Sequence, residues 1–319
     1  MGKKIWMIVA ASLILAGSFI FVGVMSVLKW DFTKLSTTKY AEKTYEITED
    51  FANISIIADT ADITFVATDA ETVQVFCREE VKMPYVVSVK DGTLDIRYEN
   101  HKKWYHYISI FNFGGPKLTV YLPKGDYGSL TVHSDTGDLQ APGDLSFTNM
   151  NITTSTGDVH SSAPVSGAVN IKTSTGDIYA ENMAAQSIAL TVSTGDITLK
   201  NVSCTGKLQI GVSTGKSTLT DVRCGSLFST GDTGDMKLQN VIATADFNIK
   251  RSTGDITFTR CDAAELTVAT STGDVTGSLC SAKVFFPSTS TGRIQVPESI
   301  TGGKCKITTS TGNIKIQIV

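Results

Sequence analysis

The sequence predicts an all-β fold: a parallel β-solenoid (β-helix) with 19–20-residue coils, preceded by one N-terminal transmembrane helix. Three observations carry this. Thr-Gly pairs recur ten times at near-constant spacing, apolar residues alternate with period two on both sides of them, and an uncharged apolar run opens the chain.

The apolar run comes first. Ile5–Leu28 is 24 residues without a charge. As a helix it would be about 36 Å long, enough to cross a hydrocarbon core of about 30 Å. A secretory signal has a shorter apolar region, about 7–15 residues, and a small-residue cleavage site. Val24–Leu28 offers no A-x-A, so the expectation is an uncleaved signal anchor. Lys3 and Lys4 precede the span, and Lys29, Asp31 and Lys34 follow it. With the free amino terminus, the count favours a cytoplasmic N-terminus and a body outside the membrane. No lipobox cysteine lies near the span. The expected division is 1–29 tail and anchor, 30–49 stalk or first strand, 50–127 degenerate coils with an aromatic insertion, and 128–319 regular solenoid.

The motif glycines are Gly137, Gly157, Gly176, Gly195, Gly215, Gly234, Gly254, Gly273, Gly292 and Gly312. Periods of this length signal stacked repeats. Thr precedes every one, and Asp follows seven; Lys216, Arg293 and Asn313 are the exceptions. Apolar residues stand seven and five before the glycine, as Val169 and Ile171 do, and two and four after it, as Ile197 and Leu199 do. That is the strand period. A coil this short cannot bury its inner face alone, so coils stack as parallel strands about 4.8 Å apart. Further upstream, DTADI at Asp59–Ile63 carries Ala61 in place of the glycine. It lies 76 residues before Gly137, four periods of 19, with strand-like runs between that read as degenerate coils or hairpins.

The repeated S-T-G-D, as in STGDI at Ser174–Ile178, is read as a structural corner. Its residues are Thr156 and Gly157, Thr175 and Gly176, Thr194 and Gly195, Thr253 and Gly254, Thr272 and Gly273, with their counterparts. Glycine permits positive φ, threonines stack, and aspartate accepts backbone N–H groups beyond a turn. The alternative is calcium. Asp158, Asp177 and Asp196 would form one carboxylate run, and Asp235, Asp255 and Asp274 another. Calcium takes six to eight oxygens, and one carboxylate per coil supplies too few. The expected metal is none, and no cofactor is expected.

Other readings fit less well. An ice-binding threonine ladder is interrupted where Val192, Val212, Gly231 and Arg251 replace the first threonine of T-x-T. A catalytic serine would be unique, yet serine stands before the Thr-Gly pair in eight of the ten copies. The four histidines all precede residue 161. Net charge is -3, which argues against nucleic acid as a partner. The six cysteines show no CxxC. Cys261 and Cys280 occupy an otherwise apolar column and are expected in the core. Cys204 and Cys224 would be stacked neighbours, with free thiols favoured over a bridge because their Cβ vectors run parallel. His101–Gly115 departs from the repeat, and its Trp104, Tyr105, Tyr107, Phe111 and Phe113 are the candidate binding residues. Such aromatics cap a solenoid end, touch a membrane surface or stack on sugars.

An N-terminal anchor followed by many S-T-G-D coils resembles the bacterial adhesin-like family of β-strand-repeat proteins, long labelled a domain of unknown function. The resemblance covers roughly residues 50–319. It implies a β-helix of one or few strands per coil at a bacterial envelope, often Gram-positive, and brings no established catalytic residues. The expected function is a membrane-anchored extracytoplasmic rod that binds or scaffolds at the cell envelope, linked to envelope stress. An envelope glycan or membrane protein is the expected partner. The competing class is a carbohydrate-active β-helix enzyme.

Overall fold

A computed structural model describes residues 3–31, 38–99 and 115–319. Helix α1 (Lys3–Val27) covers most of the apolar run, and its Ile5–Val27 segment is long and apolar enough to cross a membrane. Exposed Trp6 and Trp30 stand near its two ends.

Most of the rest of the described chain is a parallel β-solenoid, with coils paired in register as in Ile188↔Leu208 and Leu190↔Ile210. The Gly195 coil shows why the sequence folds this way. Ile188, Leu190, Val192, Ile197, Leu199, Val202 and Cys204 are all buried. Their spacing is two along each run and changes only at corners. Residues 193–196 turn the first corner. Lys200 and Asn201 turn the second, where Asn201 has φ +52°. A left-handed residue absorbs the odd position, so Val202 points inward again. Asn and Asp reach that conformation at less cost than most residues. The same column holds Asn182, Asp221, Asn240 and Arg260, all left-handed. One continuous core results, from Ile54 to Ile316.

Chain order and stacking order differ at both ends. At the N-terminal end, β1 (Tyr40–Ile47) leads into β2 (Asn53–Ala58) and β3 (Asp62–Thr68), which form the first coil. Next come β4 (Val73–Glu80), β5 (Tyr85–Lys90), β6 (Thr93–Tyr98) and β7 (Lys117–Pro123), then β8 (Gly125–Thr136) and β9 (Leu139–Ala141). The β2–β3 coil lies directly against the Gly137 coil, with Ile56↔Val132 and Ile63↔Leu139. The 76-residue separation is therefore one coil step and not four. The intervening chain packs on the far side of the first coil, where β6 pairs β2 and β7 pairs β3 in parallel. Antiparallel strands then close this end: β5 on β6, β4 on β7, and β1 on β4. The 50–127 stretch thus holds two coil layers and a cap of hairpin-like strands.

The C-terminal end mirrors this arrangement. The last strand before the final corner, Gly303–Thr311, pairs with Glu265–Thr272 on one side and Lys283–Thr291 on the other. Ile314–Ile318 is likewise flanked by Val275–Leu279 and Ile294–Gln295. The last coil in the sequence is the penultimate layer, and the Gly292 coil is outermost. Pro287 sits in the strand of that outer coil, where a missing N–H donor is tolerated.

One coil position is filled by a charge. Arg251 is buried at 4% exposure in the corner column that threonine occupies elsewhere. Its Nη2 donates to Ser217 Oγ at 2.8 Å and Ser229 Oγ at 3.3 Å, and its Nη1 to Thr230 O at 3.4 Å. Its Nε has no hydrogen-bond partner among the described residues. Ser217 and Ser229 replace apolar inward residues, and a Cβ on Gly231 would overlap the guanidinium. Three exceptions to the repeat thus gather around one side chain. Burial lowers the Arg251 pKa below its ordinary value, and the negative charge of Asp232 works against that.

Two outcomes follow from these packings. Amides of Gly303–Thr311 exchange with solvent more slowly than those of Lys283–Thr291, despite lying nearer the C-terminus; hydrogen exchange read by mass spectrometry checks this. Arg251→Ala leaves two buried hydroxyls and a void, and it costs about 2–4 kcal/mol in urea unfolding. Arg251→Met combined with Ser217→Val and Ser229→Ile recovers that loss, because a buried charge gives way to apolar packing.

Candidate functional site

Each Thr-Gly-Asp corner is built from contacts between coils. All ten motif glycines have positive φ, from +126° at Gly176 to +158° at Gly292. A Cβ on Gly176 would overlap the carbonyl oxygen of Gly157, and the other motif glycines meet their neighbours the same way. On the opposite side, Gly157 N–H donates to Thr175 O at 2.9 Å and Gly176 N–H to Thr194 O at 3.0 Å. The threonines stack in register, Thr156↔Thr175, Thr175↔Thr194 and Thr253↔Thr272. Three residues before the glycine, the Thr173 hydroxyl donates to Gly157 O at 3.3 Å and Thr175 O at 3.1 Å. Thr154, Thr173, Thr270 and Thr309 are buried, so this column is interior and offers no ice-binding surface.

The aspartates form a ladder of their own. Asp158 Oδ1 accepts the Asp177 N–H at 2.8 Å, Asp177 Oδ1 that of Asp196 at 2.7 Å, and Asp196 Oδ1 that of Lys216 at 2.7 Å. A second run passes from Asp235 to Asp255 at 3.0 Å, Asp274 at 2.8 Å, Asn313 at 2.7 Å and Arg293 at 3.0 Å. Each of these side chains gives one oxygen to the amide of the adjacent coil. Asn313 keeps an acceptor because the Gly292 coil lies above it, and Arg293 needs none because it is outermost. Tyr179 OH takes the second oxygen of Asp177 at 2.8 Å. That bond, then burial and the neighbouring aspartates, push its phenol up to about 12. Among the described residues, no three His, Cys, Asp or Glu side chains gather as a metal-binding group.

Trp104, Tyr105, Tyr107, Phe111 and Phe113 lie outside the described residues. In the sequence they fall between β6 and β7.

A groove runs along the rod beside the second corner. It has a volume of about 730 Å³ and extends from Pro164 to Cys280. One wall is the left-handed column, Asn182, Asn201, Asp221, Asn240 and Arg260. Ala184, Ser203, Arg223 and Ile242 line the other side. Amides bridge successive coils, with Asn201 Nδ2 donating to Asn182 Oδ1 at 2.8 Å and Asn240 Nδ2 to Asp221 Oδ1 at 2.9 Å.

A family profile described as Toastrack DUF4097 matches residues 51–216 and 216–318. This chain belongs to the Toastrack DUF4097 family. No curated protein matches it. Three solved bacterial structures are similar to this Toastrack chain. A "putative adhesin" from Bacteroides fragilis is 15% identical, with 88% of this chain and 97% of that one covered and a TM-score of 0.39. A "putative lipid binding protein" from Parabacteroides distasonis is 17% identical, with 86% and 97% covered and a TM-score of 0.45. A "putative adhesin" from Parabacteroides merdae is 12% identical, with 86% and 96% covered and a TM-score of 0.47.

Within the Toastrack rod, the groove is what the corner motif concealed. Its signal was in the sequence: Asn182, Asn201, Asp221, Asn240 and Arg260 each follow a motif glycine by six. The cysteines need one correction. Cys261 is buried, and burial pushes it up to about 11, but Cys280 is exposed. Gly277 at φ +132° and a register shift place Leu279 opposite Cys261, which moves Cys280 outward. Cys204 and Cys224 are register partners with free, buried thiols.

Substitutions separate the roles in the corner. Gly176→Ala lowers the urea midpoint strongly, by about 2–4 kcal/mol, because it adds both backbone strain and overlap. Gly125→Ala, with open space around it and no positive φ, stays within about 1 kcal/mol. Asp177→Asn retains an acceptor for Asp196 N–H and stays close to wild type, whereas Asp177→Leu costs about 1–3 kcal/mol. Thermal unfolding is the same with calcium and with a chelator.

Proposed function

We propose that this chain is a membrane-anchored rod that binds or scaffolds at the bacterial cell envelope, in the manner of an adhesin. The observation that carries the reading is an apolar helix followed by an unbroken stack of tight corners. The helix serves as a single-pass anchor. Trp6 and Trp30 suit its two interfaces, and Lys3 and Lys4 suit the cytoplasmic side. Residues 1–29 are then the tail and anchor, 30–49 the stalk and first strand, 50–127 the rest of the cap with its inner coils, and 128–319 the regular rod outside the membrane. From Gly137 to Gly312 the corners are a few residues each, with no long loops there to wall a catalytic cleft, which supports binding over catalysis. An envelope glycan or a membrane protein is the partner, and Trp104–Phe113 supplies a contact to it. A rod held at the membrane in this way is also placed to report envelope stress.

The test uses the full chain with a C-terminal epitope in a Gram-positive host. The protein stays in carbonate-washed membranes, retains residues 1–28 by mass, and loses its epitope to protease added to intact cells. Purified in detergent, it retains envelope glycan or membrane-protein extracts without shortening the glycan. A processed, soluble chain would overturn the anchor, and release of shorter oligosaccharides would restore the enzyme reading. Trp104→Ser with Tyr105→Ser weakens retention; a fall in melting temperature alone would make that segment purely structural.

A further inference from the structure

The groove beside the left-handed corner has a shape and chemistry that select a ligand class. We propose that it binds a linear, carboxylated glycan lying parallel to the rod, about one sugar per coil; this deepens the reading of the rod as a binding protein.

The first argument is what the groove cannot offer. Its walls are coils whose backbones already pair across it, with Ala184↔Ser203, Ser203↔Arg223 and Arg223↔Ile242 in register. Free strand edges exist only at the ends of a rod, so an extended peptide would find no ladder to join here. The groove presents side chains alone.

The second argument is what those side chains do. Asn182, Asn201 and Asn240 carry amides that both donate and accept, as sugar hydroxyls do. The coil-to-coil bonds use Asn201 Nδ2, Asn182 Oδ1 and Asn240 Nδ2. Asn182 Nδ2, Asn201 Oδ1, Asn240 Oδ1 and the second oxygen of Asp221 have no hydrogen-bond partner among the described residues and remain for a ligand. These groups repeat at the coil spacing of about 4.8 Å, close to the advance of one hexose in an extended chain. Ala184, Ser203 and Ile242 give the low, partly apolar wall on which a sugar edge can rest.

The third argument is charge. Arg223 and Arg260 are exposed and line the groove, and neither is in an ion pair among the described residues. They belong to the Gly215 and Gly254 coils, two steps or about 10 Å apart along the rod axis, and stand on opposite sides of the groove. A guanidinium fork suits a carboxylate. That separation fits an acidic group on every second sugar, hence a disaccharide repeat with one uronic acid.

Cys280 makes the test direct. It lies at the groove's end and is the exposed member of the six cysteines, so a fluorophore there reports occupancy. The full chain in detergent is titrated with three probes. These are a decasaccharide alternating glucuronate with N-acetylhexosamine, a neutral N-acetylglucosamine oligomer of similar length, and inorganic polyphosphate. The decasaccharide shifts the emission and binds at least tenfold more tightly than the neutral oligomer. Arg223→Ala with Arg260→Ala removes that preference and its salt dependence. Asn182→Gly with Asn201→Gly and Asn240→Gly keeps the left-handed backbone and weakens both sugar probes tenfold or more. Circular dichroism melting confirms that each variant is folded. Polyphosphate binding as tight as the decasaccharide, with the glycine variant unaffected, would reduce the groove to a non-specific anion surface and overturn the proposal. So would no emission shift with any probe. If the groove variants still retain envelope extracts like wild type, the groove assignment fails while the binding-rod reading stands. If the chain proves soluble and processed, the decasaccharide result holds on its own.

Discussion

The structure depends on the contact between one motif glycine and the carbonyl of the next. No side chain fits there, because a Cβ on any of the ten would overlap the neighbouring coil's backbone. The contact sets the coil spacing at the corner, and parallel hydrogen bonding sets the same spacing along the runs. It also fixes register, since a slip of one residue would put threonine or aspartate where only glycine fits. Ala61 marks where the constraint ends. Gly137 rests on Ala61, but the layer on the other side of Ala61 joins β6 to β7 through a long segment rather than a Thr-Gly corner. A methyl group is accommodated at that boundary.

Because this contact admits a single residue type, the architecture was legible from Gly137 to Gly312. The inward columns followed from alternation, and Lys216, Arg293 and Asn313 showed that the aspartate position serves the backbone. The second corner was harder to see. Asn201 is left-handed, but asparagine is common on surfaces and Arg260 occupies the same conformation, so no single residue type marks the column. The groove went unseen for the same reason. The order of coils at the ends was also hidden, because an alignment on glycine treats neighbours in sequence as neighbours in space. In retrospect Pro287, lacking a donor within a strand, is a sign of the outermost layer, whereas Arg293 is not, since Lys216 lacks the same acceptor in mid-rod. The Arg251 cluster was visible only as separate irregularities, since Ser217, Ser229, Gly231 and Arg251 come from three different coils.

The rod therefore divides its labour between its corners. The Thr-Gly-Asp corner turns its polar groups toward its own backbone: hydroxyls to glycine carbonyls, carboxylates to amides, and the Tyr179 phenol to a spare carboxylate oxygen. Little is left there to recognise anything. The asparagine corner is different. Its amides bond along the stack and keep atoms on the outer side, and two arginines with no ion pair among the described residues stand beside them. The groove asparagines thus do two things at once, bonding coil to coil on one side and facing outward on the other.

The tucked ends give the rod a mechanical character. A chain anchored through α1 would feel tension first at β1 and then at β2. Were the β2–β3 coil the outermost layer, a pull would peel it away one hydrogen bond at a time. Held between β6 and β8, it has to slide out against two ladders together, and the last coil is gripped in the same way by its two neighbours. Load then spreads over many bonds at once, so the structure resists tugging from either terminus much as a spliced rope resists unravelling.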